Sequence, residues 1–250
     1  MRVGVSGAGG RMGRTVAAAI ASSEDLSLGG LFDPGAIGEV IEGVPVSGDP
    51  AAIAGCEVVV EFTNPDVVEE NLALWRSLGV HAVVGTSGFT VERIERARSM
   101  WGDGPPNCLI VPNFSIGAVL MMRFAELAAP HFAAAEIIEL HHDRKVDAPS
   151  GTAVATAGRI AGAKAEQRRA VESTELVPGA RGGTVDGVSI HSVRLPGLLA
   201  HQEVLFGNEG EVLEIRHDTT DRAAFVPGVL LAVHRVALFP GVTVGLDALL

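Results

Sequence analysis

With 250 residues, 47% of them hydrophobic, the chain buries one large core or two modest ones, which excludes a disordered protein. Its 30 acidic residues against 19 Lys and Arg give a formal net charge of −11. That balance argues against a nucleic acid or an anionic membrane surface as partner, because either needs a concentrated basic face; a small molecule is expected instead.

Arg2 to Ser6 reads as a strand, and Gly7-Ala8-Gly9-Gly10-Arg11-Met12-Gly13-Arg14 as a glycine turn leading into a helix over Thr15 to Ala21. Leu26 to Asp33, Glu57 to Thr63, Val80 to Thr86 and Asn107 to Val111 read as buried strands, with helical segments near Pro65 to Leu78 and Thr90 to Met100. Such alternation predicts a parallel sheet with helices on both faces. Cys56 and Cys108 each border an apolar run and read as reduced core thiols of a cytoplasmic protein. Because an apparent core strand starts at Arg2, a presequence is not expected.

After Pro112 the pattern changes. A helix is expected from Ile116 to His131, a strand through Ile137 to His141, and an alanine-rich helix from Thr152 to about Ala163. Lys164 to Gly187 reads as a long loop. Gly187 to Leu195, Ala200 to Gly207 and Glu211 to Asp218 read as three strands joined by short turns, an antiparallel meander. The fold class is therefore α/β: a Rossmann-like parallel-sheet domain plus an α+β domain with a mostly antiparallel sheet. The division falls at 1–112 and 113–222, with 223–250 returning to the first domain through a helix over Phe225 to Leu238. The apolar run Phe225 to Leu246 is broken by Pro227, His234, Arg235 and Pro240, which spoils a membrane-spanning reading.

Gly7, Gly10 and Gly13 depart from the strict G-x-G-x-x-G fingerprint, yet they meet the same needs: a tight turn, a close approach to a pyrophosphate, and free amides at a helix start. Asp33 stands about twenty residues beyond Gly13, where a carboxylate accepts hydrogen bonds from an adenosine ribose. Asp33 would repel a 2′-phosphate, and Pro34 stands where an Arg could have paired with one, so NADH is expected to be usable; Arg11 and Arg14 lie near enough to compensate for a phosphate, which keeps NADPH open. Gly85-Thr86-Ser87-Gly88-Phe89 and Pro112-Asn113-Phe114-Ser115 follow strand ends and are either plain turns or contacts to the nicotinamide half.

The segment Glu139 to Ala153 gathers His141, His142, Arg144 and Lys145 in an acidic protein, just before a helix start. Ser150 is a candidate N-cap, and Gly151 and Thr152 would present backbone amides as a carboxylate or phosphate cradle beside Lys145. On a regular strand His141 and His142 face opposite ways, so the chain turns here or only one faces the ligand. The bland alternative is satisfied histidines beside a solvated charged turn. The chain has no Tyr, which removes the Tyr-Lys relay of short-chain dehydrogenases. Neither Cys sits in a polar loop beside a His, and no ligand spacing accompanies the histidines, so a cysteine nucleophile and a metal are both disfavoured. His191, His201, His217 and His234 read as structural.

These residues resemble the dihydrodipicolinate reductase family, also called 4-hydroxy-tetrahydrodipicolinate reductases. The resemblance rests on Gly7 to Gly13, Glu61-Phe62-Thr63, Gly85 to Phe89, Pro112 to Ser115 and the His-His-x-x-Lys-x-Asp-Ala-Pro-Ser-Gly-Thr order of 141–152. Ser87 stands where threonine is common, and Asp33-Pro34 speaks against a strict NADPH preference. The resemblance implies NAD(P)H-dependent reduction of a cyclic imine dicarboxylate in the lysine and diaminopimelate pathway, and a homotetramer built through the second domain's sheet. It implies His141 as proton donor/acceptor, Lys145 as second proton donor, and His142, Gly151 and Thr152 as substrate contacts. It places Gly7, Ala8, Gly9, Gly10, Arg11, Met12, Asp33, Gly85, Thr86, Ser87, Val111, Pro112, Asn113 and Phe114 at NADH or NADPH. An amino-acid or homoserine-type dehydrogenase and a non-enzymatic NAD-binding regulator are the rival readings.

Overall fold

Strand β1 (Arg2–Ser6) is buried on both faces from Val3 to Ser6, as in a parallel sheet covered by helices on either side. The computed structural model describes residues 1–163 and 173–250. After β1 come α1 (Arg11–Ala21), β2 (Ser27–Phe32), β3 (Val40–Ile41), β4 (Val44–Ser47), β5 (Val58–Glu61), α2 (Val68–Ser77), β6 (His81–Val84), α3 (Val91–Trp101) and β7 (Cys108–Ile110). Then follow α4 (Ile116–Ala128), β8 (Ala134–His141), α5 (Gly151–Ala163), β9 (Gly183–Val185), β10 (Val188–Arg194), β11 (Ala200–Asn208) and β12 (Glu211–Thr219). The chain closes with α6 (Val226–Arg235) and β13 (Val242–Val244). It divides into two units, Met1–Ile116 with Phe225–Leu250, and Gly117–Ala224.

The first unit holds a sheet ordered β13-β7-β6-β5-β1-β2-β4-β3, parallel throughout except for the β3–β4 pair. From β1 the chain steps to β2 on one side and to β5, β6 and β7 on the other, so the strand order reverses beside β1; the crevice at the carboxyl ends there is where open α/β sheets take ligands. Helix α1 buries Gly13, Val16, Ala17 and Ile20, one stripe at helical spacing. It packs against α6, which buries Gly228, Val229, Ala232 and Val233. Helix α1 also begins at Arg11, four residues before the expected start, with Gly10 as its N-cap. Short elements escaped the sequence reading: β3 and β4 span two and four residues, and β13 spans three, too few for a period to register.

In the second unit the sheet is ordered β12-β11-β8-β10-β9. The expected meander does not form, because β8 lies between β10 and β11, parallel to the first and antiparallel to the second. The link 195–199 is long enough to pass the end of β8, where the Leu195 amide donates to the His141 carbonyl at 3.0 Å. Central placement suits β8, whose Ala135, Ile137 and Glu139 are buried on one face and which gains a ladder on both edges. Of the three strands expected in the meander, β11 and β12 form a hairpin closing at Asn208 and Glu211, and β10 instead forms one with β9, closing at Val185 and Val188. Of the loop expected over 164–187, residues 164–172 lie outside the described residues and Gly183–Val185 is β9.

Cys56 and Cys108 are buried free thiols, and no helix among the described residues is long and apolar enough to cross a membrane. A close backbone approach lies under the glycine turn, where a Cβ on Gly13 would stand 2.1 Å from the Gly7 carbonyl oxygen. Because that neighbour is backbone, Gly13→Ala is expected to destabilise the protein by about 1–3 kcal/mol, read as a lower urea midpoint; an unchanged midpoint would contradict the packing.

Candidate active site

Period-two alternation on β8 puts Glu139 and His141 on one face. The Glu139 side chain is fully buried, and its Oε2 lies 2.5 Å from Nδ1 of His141. Arg194, at the end of β10, grips the same carboxylate with both terminal nitrogens at 2.8 Å, the bidentate fork that only a guanidinium supplies. The Ser150 amide donates to Oε1 at 3.2 Å. Burial opposes the charge on Glu139, but hydrogen bonds from His141, Arg194 and Ser192 outweigh it and bring the carboxyl down to about 2. An ionised carboxylate is acceptor-only, so Nδ1 of His141 is the donor and its other ring nitrogen, Nε2, is left for chemistry.

Beyond β8 the chain turns, with the Lys145 amide donating to the His142 carbonyl at 3.1 Å. His142 therefore sits outside the strand alternation, and its Nδ1 is buried without a partner among the described residues. Lys145 was expected as a charge beside the cradle; its Nζ is held by both carboxylate oxygens of Asp147, at 2.8 and 2.9 Å. That partner is mostly exposed. Arg194 also donates to the Asp147 carbonyl at 2.7 Å, so a continuous chain of contacts runs from His141 through Glu139, Arg194 and Asp147 to Lys145. Ser150 caps α5, its Oγ accepting from the Ala153 amide at 3.2 Å, and Gly151 and Thr152 form the first turn. A Cβ on Gly151 would meet open space.

The sequence reading assigned no role to Glu139 or Arg194. Glu139 had a signal, a carboxylate two positions before His141 on a strand. Arg194 had none, since it is 55 residues away from Glu139. Histidines 191, 201 and 234 pair with Glu136, Asp218 and Asp25 respectively.

In the first unit the remaining candidates gather at the carboxyl ends of the strands. Gly7 takes φ +76°, and a Cβ there would strike the Phe62 carbonyl oxygen at 2.4 Å, so the turn requires glycine. No side chain caps the amides at the start of α1, where Arg11 and Met12 stand, leaving that helix end suited to a pyrophosphate. Asp33 follows β2, its carboxylate accepting from the amides of Gly9 and Gly35 at 2.9 Å each. Arg14 is engaged by the Gly9 carbonyl and by Glu39. After β6, Gly85 lies against the rings of Phe62 and Phe114, which themselves meet at 5.5 Å. Thr86 Oγ1 accepts from the Thr63 amide at 3.1 Å, with Ser87 next in the same loop, and the Val111 amide donates to the Val84 carbonyl just before Pro112 and Asn113. Beneath these loops a buried Glu61 accepts from Trp75 Nε1 at 2.7 Å and from Asn71 and Thr63, which pins the turn bearing Phe62. A glycine cradle, an uncapped helix start and a carboxylate after β2 fit a dinucleotide.

The low value of Glu139 carries a pH dependence. Its carboxyl falls from 4.5 to about 2 on folding, so its contribution to stability is full above the unfolded value and is lost as pH drops through the folded one. Urea midpoints are expected to fall steadily over that window, with a shallower fall in Glu139→Gln; equal slopes would remove Glu139 as the cause.

Comparison with known proteins agrees in both halves. Residues 1–114 match the family model for the N-terminus of dihydrodipicolinate reductase, and 117–250 match that for its C-terminus. The 4-hydroxy-tetrahydrodipicolinate reductase of Mycobacterium marinum is 51% identical over 255 residues, covering 100% of this chain and 99% of the relative. That of Nocardia farcinica is also 51% identical, covering 100% and 98%. A dipicolinate-bound dihydrodipicolinate reductase from Paenisporosarcina sp. TG-14 superposes with a TM-score of 0.84 at 37% identity, over 100% of this chain and 99% of that one. From its glycine turn to its β8 cluster, the chain belongs to the dihydrodipicolinate reductase family of 4-hydroxy-tetrahydrodipicolinate reductases.

Proposed function

We propose that this chain reduces 4-hydroxy-tetrahydrodipicolinate to tetrahydrodipicolinate with His141 and Lys145 as its proton-handling residues. The observation that carries the reading is the Glu139–His141 contact, which leaves Nε2 of a part-buried imidazole to exchange a proton. Water leaves the ring, one hydride is added, and the enamine-like anion that results takes one proton, so the balance is one water lost against a hydride and a proton gained. When bound, the nicotinamide supplies the hydride. With Nδ1–H held by Glu139, His141 takes a second proton on Nε2 and passes it to the anion, and Lys145 Nζ is the second donor.

The two carboxylates of the substrate explain the local cations. An incoming carboxylate replaces Asp147 on Lys145 and takes the first-turn amides of α5 at Gly151 and Thr152, where the helix dipole favours an anion. His142, with a buried Nδ1 lacking a partner, lines the same anion site. In the first unit, Gly7, Ala8, Gly9, Gly10, Arg11 and Met12 hold the pyrophosphate and Asp33 the ribose. Gly85, Thr86, Ser87 and Val111 to Phe114 flank the nicotinamide. NADH is the favoured partner: Asp33 places a negative charge where a 2′-phosphate would lie, and Arg14 is already paired with Glu39. Arg11, exposed at the start of α1, keeps NADPH usable. The exposed Val212 and Leu213 on edge strand β12 support a homotetramer assembled through the five-stranded sheet, and buried free thiols support a cytoplasmic setting.

The test couples the chain to a synthase that condenses pyruvate with aspartate semialdehyde and follows nicotinamide absorbance. Wild-type protein consumes NADH only when the condensation product is supplied. Lys145→Ala is expected to lose about 100-fold or more in kcat while NADH binding, read by nucleotide fluorescence, stays near wild type. Unchanged turnover in that variant would remove Lys145 from the chemistry, and no NADH consumption by wild type would end the functional reading.

A further inference from the structure

The β8 cluster holds more than proton transfer requires. A fully buried carboxylate is paired at once with an imidazole and a guanidinium, and breaking such a pair is expensive while keeping it is no guarantee of stability. We propose that Glu139 is a positioning residue: fixed by Arg194, its carboxylate accepts the Nδ1 proton of His141 and holds the ring in the tautomer whose Nε2 serves the ligand. This rests on the functional reading of His141 above.

Three features carry the argument. Glu139 has two oxygens and neither is spare: Oε1 receives Arg194 Nη2 and the Ser150 amide, and Oε2 receives Arg194 Nη1 and His141 Nδ1. The carboxylate therefore cannot swing away from the imidazole without abandoning the fork. Its anchors come from separate elements, β10 and the N-cap of α5, so its place is set by the fold and not by its own rotamer. The surroundings also leave His141 no better partner for Nδ1. Across the strand ladder its neighbours are Ala200 on β11 and Arg194 on β10, and an arginine cannot accept a proton. Opposite Glu139 stand Gln202 and Ser192, both uncharged, with the Gln202 amide nitrogen given to Thr156 at 2.8 Å. Of the charged groups of the following turn, Lys145 and Asp147 satisfy each other, and Asp143 and Arg144 are exposed. Glu139 alone among the charged groups described around His141 meets its ring, and it does so while ionised. Without it, a neutral imidazole is free to place its proton on either nitrogen, and the fraction carrying it on Nε2 loses its acceptor there.

A purely structural tie between β8 and β10 would stabilise the protein without affecting the ring, so the test reads the tautomer itself. Protein labelled with 15N-histidine is observed by long-range proton–nitrogen correlation in alkaline buffer, with the pH raised until the spectrum itself reports a neutral ring and with His141→Asn identifying the signal. In wild type the His141 ring is expected to carry its proton on Nδ1 alone. In Glu139→Gln the signal moves toward a mixture of tautomers. There, kcat for the cyclic imine falls by about 100-fold, the order that a positioned general acid supplies, while KM and NADH affinity stay within about two-fold of wild type, since neither depends on the proton's position. A wild-type ring protonated on Nε2 or evenly mixed overturns the proposal, and that measurement stands even if the variant does not fold. A variant that loses turnover with its tautomer unchanged, or keeps turnover with its tautomer scrambled, also overturns it. If wild-type protein shows the expected tautomer but does not reduce the cyclic imine, the functional reading fails and the positioning of His141 survives.

Discussion

A carboxylate sealed from water must be matched by donors on every side, and Glu139 meets that condition with groups from four places: the imidazole of His141, the guanidinium of Arg194, the amide of Ser150 and the side chain of Ser192. Much of the second unit follows from this. The parallel pairing of β8 with β10 puts Arg194 opposite His141, and the turn after β8 returns Ser150 to the carboxylate as it starts α5. The position of β8 in the middle of its sheet, which broke the expected meander, is what allows one side chain to be served from both a neighbouring strand and a helix start. The pairing of His141 with Glu139 beside Arg194 is thus an outcome of sheet order as much as of residue type.

The first unit uses a different device. Its ligand face is built from absent side chains: Gly7 and Gly13 let the turn lie under α1, and no cap competes for the amides at the helix start. What acid there is, Asp33 and Glu39, holds the Gly9 amide and Arg14. The buried Glu61 is a counterpart to Glu139, a carboxyl group in the core fixing the turn that bears Phe62. Both units place a hydrogen-bonded acidic side chain in the interior to fix geometry at the surface.

What the sequence revealed depended on whether the cause was local. The glycine turn, the alternating first half, the capped start of α5 and the two-part architecture were legible because each depends on residues within a dozen positions of one another. Lys145 was legible as a residue but not as half of a pair with Asp147, since two flexible side chains meet only once the turn is built. Arg194 was invisible, because nothing at position 194 shows that β10 will lie beside β8. The meander failed for the same reason: short links suggest neighbouring strands, and the register that places β8 between them is a property of the whole sheet. The family resemblance named candidate site residues that periodicity could not, because its densest motif lies in one stretch, 141–152.

The central claim is that a dianionic ring is held by the segment 141–152 with its acid groups at Lys145 and the start of α5. A crystal grown with NADH and pyridine-2,6-dicarboxylate tests it most directly. The account places one acid group against Lys145 Nζ and the amides of Gly151 and Thr152, with the ring beside Nε2 of His141. A dicarboxylate bound with both acid groups away from Lys145 and Thr152 would contradict it.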